Sequence, residues 1–148
     1  MKKRPSSVPT KIEDNPLWID ACDLCDYIYS ILHEIPEDEK WETTRKLRSS
    51  ANDLMFSVAQ AVGNSSPSAT EYDWGQARRS ASALKTMYRF AGRQKFVELD
   101  PNIMVRLDKI IYDISIGSDE AYSRSEDFSR EEFKIWLKKL EIQKELEK

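Results

Sequence analysis

From Leu17 to Ile35 the apolar residues fall at alternating steps of four and three: Leu17, Ala21, Leu24, Ile28, Ile31 and Ile35. That period gathers them on one side of an α-helix and would scatter them over both faces of a strand. It demands helical neighbours to cover the line. A second line, Trp18, Cys25 and Leu32, runs beside the first. The first helix is thus apolar over a wider arc than one neighbour covers, so we expect it to sit centrally or to face another subunit. On the second reading, Trp18, Cys25 and Leu32 belong to a protein interface.

The same period recurs three times. Asn15-Pro16 reads as an N-cap followed by proline at the first helical position, and Pro36 ends that helix by restricting Ile35. A second helix restarts within "EDEK", acidic where the macrodipole favours negative charge, with the seam Leu47, Ala51, Leu54, Val58 and Ala61. "GNSSPS", Gly63 to Ser68, is a loop. The third seam is Trp74, Ala77, Ala81, Leu84, Tyr88 and Ala91; after "ELDPN", with Asp100 as N-cap, the fourth is Ile103, Leu107, Ile110 and Ile114. With 148 residues, only Gly 4 and Pro 6, the chain is of one-domain length and poor in breakers. The expected fold is all-α: an up-down-up-down four-helix bundle over residues 15–116. A basic flexible arm, 1–14, precedes it, and a polar linker, 117–128, follows. Ser129 and Glu132 then form a capping box that opens an additional C-terminal amphipathic helix, 129–148. This helix gathers Phe133, Trp136, Leu137 and Leu140 on one face, which we expect to dock on the bundle, a neighbour or another protein.

The formal net charge of −3 excludes a molecule that is cationic as a whole, so any polyanion contact must be local. Between Asp73 and Glu98 there is no acid, while Arg78, Arg79, Lys85, Arg89, Arg93 and Lys95 all fall there. Arg78, Lys85, Arg89 and Arg93 share one arc of the third helix, and the second adds Arg45, Lys46 and Arg48. Such a strip either neutralises phosphates or pairs with acids such as Asp23, Asp26 and Asp53 across helices or subunits. Chemistry of other kinds finds little footing. "CDLC", Cys22 to Cys25, lies mid-helix without the βαβ context of a redox site. His33 is the single histidine, too few for a zinc set. No Glu-x-x-His pair or nucleophile motif is present. We therefore expect no enzyme, metal or cofactor. The cationic N-terminus lacks a following apolar run, no segment approaches the roughly 20 apolar residues that span a bilayer, and two cysteines suit a reducing compartment. These features lead us to expect a cytoplasmic protein without a membrane partner.

"IPEDEKWETTRKLRSSANDLMFSVAQA" resembles a pattern of the four-helix-bundle family of 23S rRNA intervening-sequence proteins. Ile35-Pro36 stands at its F-P, Glu39 at its acid, Leu47-Arg48 at its L-R, Ala51 at its second alanine and Val58-Ala59 at its I-A. Ser49, Ser57, Gln60 and Ala61 stand where the pattern has arginine, asparagine, glutamate and glycine. The likeness spans roughly Leu17 to Ile114. It implies a small homo-oligomer, a pentamer. Through the accessory variability determinants of diversity-generating retroelements, it also implies binding to a reverse transcriptase and to RNA or DNA, without catalysis.

Overall fold

The structure, a computed structural model, describes residues 12–63 and 67–148, and the side chains among them apart from those of residues 67–69. Residues 1–11 of the expected arm and 64–66 of the "GNSSPS" loop lie outside the described residues. A 3-10 turn, Ile12–Asp14, leads into helix α1, Pro16–Ile31. The Asn15 side chain accepts hydrogen bonds from the Leu17 and Trp18 amides at 2.9 and 3.3 Å, satisfying two donors that a helix start leaves orphaned. After a second 3-10 turn, Leu32–Glu34, Ile35 turns extended before Pro36. "EDEK" does not begin an α-helix. Glu37–Glu39 form another 3-10 turn, Lys40–Thr44 a π-helix, and only then does α2 run, Arg45–Gly63. The wider turn buries Thr43 and Thr44 together, and the Thr43 hydroxyl donates to Glu39 Oε2 at 2.9 Å.

Helix α3 spans Pro67–Arg93 and α4 spans Pro101–Leu146. Between them the Phe96 amide donates to the Ala91 carbonyl and the Lys95 amide to that of Gly92, a Schellman closure with Lys95 at φ 62°. Asp100 caps α4 through the Asn102 amide at 2.9 Å.

The α-helices close a circuit of packed pairs: α1 on α2, α2 on α3, α3 on α4, and α4 on α1. Every residue of the four sequence seams is buried in one core except Leu17, which is half-buried against it. Tyr88, fully buried, ties three parts of the chain together. Its hydroxyl lies 2.8 Å from that of Tyr27, their rings meeting edge to face, and it accepts from the Asp100 amide at 2.8 Å. Burial, and then the hydrogen bond to Tyr88, push the Tyr27 phenol above its ordinary value of 10.0. Around the rim, Asp20 and Asp23 of α1 pair with Lys109 and Arg106 of α4 at 3.3 and 3.2 Å.

Two expectations are corrected. The first concerns the interface. Cys25 and Leu32 are already buried within one chain, and Trp18 is half-buried against the core. The wide apolar arc of α1 is used by two neighbours, α2 on one side and α4 on the other. A second subunit is not needed to cover it.

The second correction concerns the polar linker, 117–128, and the separate helix, 129–148. Both belong to α4, a single helix of 46 residues, about 69 Å long. Gly117 does not break it. A Cβ there would lie 2.6–2.7 Å from the Trp74 ring, so glycine is what allows that ring to seat against the α4 backbone. One turn on, Ala121 is 1% exposed, the last buried residue of the helix. Ser129 and Glu132 are mid-helix rather than a capping box, and Arg130–Glu126 and Lys134–Glu131 pairs run along the surface at 3.6 and 3.2 Å.

Candidate nucleic-acid interface

The cations singled out in the sequence are divided among three settings. Lys46 points into the groove between α2 and α3, where it meets Ser49, Ser50, Ser82, Thr86 and Met87 around a space of about 450 Å³. Its ammonium is 3.4 Å from Glu42. Arg48 faces the other way, toward α1, with its guanidinium 5.9 Å from the centre of the Tyr29 ring. Lys85 pairs with Asp108 of α4. Arg45, Arg78, Arg89 and Arg93 are exposed and form no ion pair among the described residues. Across helices of the one chain, the acids expected to neutralise them do not: Asp23 pairs with Arg106, and neither Asp26 nor Asp53 forms an ion pair with a member of the strip.

Arg89 and Arg93, one turn apart, are brought together. With Thr86, Phe90, Gly92 and Leu99 they line an open cleft of about 520 Å³ at the end of α3. Phe90 is 42% exposed and Leu99 37% exposed, so the cleft combines an exposed aromatic ring with two guanidiniums that have no ion-pair partner among the described residues. Gly92 makes the floor possible, since a Cβ there would collide with the Leu99 side chain. A smaller recess of about 260 Å³, lined by Glu39, Glu42, Thr43, Lys46, Met87 and Phe90, adjoins it. Through Phe90, Thr86, Met87 and Lys46 the three spaces form one shallow track across α2 and α3. The Arg89–Arg93 end carries net positive charge. The Lys46 end is offset by Glu39 and Glu42.

Such a track can hold a phosphate through planar, weakly hydrated guanidiniums while a base stacks on the phenyl ring. The period of α3 revealed its arginines but not Phe90, Met87 or Leu99. The available signal was an aromatic off the seam, directly after Arg89, at a position that faces water when the alanine line faces the core.

The remaining sequence candidates lie elsewhere. Burial, then the nearby Asp26 carboxylate, pushes both the Cys22 and the Cys25 thiols up, and Cys25 Sγ donates to Asn52 Oδ1 at 3.6 Å. Neither is poised as a thiolate. No cluster of three or more His, Cys, Asp or Glu side chains suited to a metal occurs among the described residues. Nor is any helix among them long and apolar enough to cross a membrane. Phe133, Trp136 and Leu137 are exposed on the far half of α4 and Leu140 is half-buried; the Phe133 and Trp136 rings stack with centroids 5.7 Å apart. No protein-family model matches the chain, and no curated protein matches it.

Proposed function

We propose that the chain is a non-catalytic, homo-oligomeric adaptor whose α2–α3 track binds nucleic acid, alone or in the grip of a nucleic-acid enzyme such as a reverse transcriptase. The observation that carries this reading is the Arg89–Arg93 cleft, where two arginines without an acidic partner among the described residues flank the exposed ring of Phe90. The likeness of "IPEDEKWETTRKLRSSA" to the intervening-sequence family supports the same function, and with it an up-down-up-down arrangement of the helices and a pentameric assembly. Free thiols held protonated fit a reducing, cytoplasmic setting.

A protein-binding scaffold that uses its cations in structural contacts is the second reading. It is favoured by the engagement of Lys46 with Glu42, Lys85 with Asp108 and Arg48 with Tyr29.

Single-stranded RNA and DNA binding, measured at two salt concentrations, separates the two. In the adaptor, affinity is nearly independent of sequence and falls by roughly 0.7–0.9 log units per log unit of salt for each phosphate neutralised. Arg89→Glu/Arg93→Glu then lowers affinity and reduces that slope by roughly one to two. Failure of the wild type to bind at low salt, or unchanged binding by the folded variant, removes the adaptor reading.

A further inference from the structure

Along α4 an apolar residue stands at every seventh position: Leu107, Ile114, Ala121, Phe128, Ile135 and Ile142. The first three are buried at 0%, 0% and 1% exposure, and the last three are exposed at 51%, 53% and 60%. Residues seven apart stay on nearly one side of a helix, so these six trace a single narrow line along α4. Within the bundle that line is covered. Beyond Ala121 the remaining 25 residues, Tyr122 to Leu146, about 37 Å of helix, have no covering element among the described residues. A helix of that length gains most of its stability from packing an apolar face.

The charges beside the exposed seam indicate what covers it. Glu131 and Glu132 lie one turn before Ile135, and Lys138 and Lys139 one turn after. Turned end for end about Ile135, the segment matches itself: Ile135 meets Ile135, Phe128 meets Ile142, and Glu131 and Glu132 face Lys139 and Lys138. A parallel pairing would set each of these charges against its own kind. Of these four, Glu131 is paired within the chain, to Lys134.

We propose that the far half of α4 is a self-association element. It pairs antiparallel with the same segment of a second copy, about a two-fold axis at Ile135. Such a contact is isologous and closed, so each chain uses the seam once. The stacked Phe133–Trp136 face lies on another side of the helix and takes no part. The inference concerns a surface away from α2 and α3 and does not rest on nucleic-acid binding.

Sedimentation of the full chain tests it. The wild type sediments as an assembly with an even number of 17.3 kDa chains, ten where two of the pentamers proposed above join through this seam. Glu131→Lys/Glu132→Lys makes both sides of the seam positive, and Lys138→Glu/Lys139→Glu makes both negative; each alone raises the Kd of pairing at least about tenfold. An equimolar mixture of the two variants restores pairing, which a merely misfolded variant cannot do. A wild type of one chain or an odd number, variants that associate as well as the wild type, or a mixture that stays apart each overturns the proposal. None of these outcomes changes the RNA-binding result expected for Arg89 and Arg93.

Discussion

Leu107 and Ile135 occupy the same place in the same seven-residue repeat of the same helix, yet one has no solvent exposure and the other is 53% exposed. The difference lies in what surrounds them. At Leu107 the seam meets α1 and α3, and at Ile135 both have ended. Local pattern decides that a segment is helical and which side is apolar. Whether that side is covered depends on the lengths of the other helices, which the segment does not encode.

The largest test of this comparison is a pair of truncations. Leu107→Ala should cost about 2–5 kcal/mol in urea unfolding, because it empties a volume in a closed core. Ile135→Ala, measured in dilute protein where chains are separate, should stay within about 0.5 kcal/mol. Similar losses at both positions would mean that the far half of α4 packs within its own chain.

A smaller effect is expected at the border between the halves. Gly117→Ala gains roughly 1 kcal/mol of helix propensity, but the added methyl meets the Trp74 ring, which is rigid and 7% exposed. Overpacking of this kind costs about 1–3 kcal/mol, so a modest net loss of thermal stability follows. A more stable variant would show that the ring can shift and that the border is loosely packed.

The finest distinction comes from pH. The Tyr27 phenol, raised in the folded chain, keeps its proton where the unfolded chain releases it. Its contribution is therefore complete below pH 10.0, its unfolded value, and is lost as pH rises beyond it toward the folded value. The buried part should lose stability in alkali, with a shallower slope in Tyr27→Phe. Equal alkaline slopes for Tyr27→Phe and the wild type would remove the phenol as the cause.

How far the sequence was legible follows the same division. The seams were readable because one face of each helix is buried, and a period of three and four survives any arrangement of neighbours. Asn15 and Asp100 were readable as caps because their side chains satisfy local amides. The linker over 117–128 was misread because Gly117 and a run of polar residues look like breakers when their partner is unknown. Only Trp74, more than forty positions away, makes that glycine a packing device. Of the two expectations for α1, a central seat or a subunit face, the chain uses the first, and the choice was not legible because a wide apolar arc signals two neighbours without saying whether they belong to the same chain. Of the binding track, the arginines were visible as a charge pattern. Phe90 and Leu99 were not, because their exposure depends on how the turn after Arg93 folds back.

The Tyr27–Tyr88–Asp100 junction also bears on the order in which the chain assembles. The Tyr88–Asp100 bond spans 12 positions, and the Tyr27–Tyr88 bond spans 61. A closure of the shorter kind takes on the order of 100 ns, whereas the longer one carries about 1.4 kcal/mol more loop entropy. The corner between α3 and α4 therefore has the entropic advantage, and α1 arrives at a receptor whose central hydroxyl is already oriented by the Asp100 amide. Tyr88, fully buried, thus joins a contact of low closure cost to one of high cost.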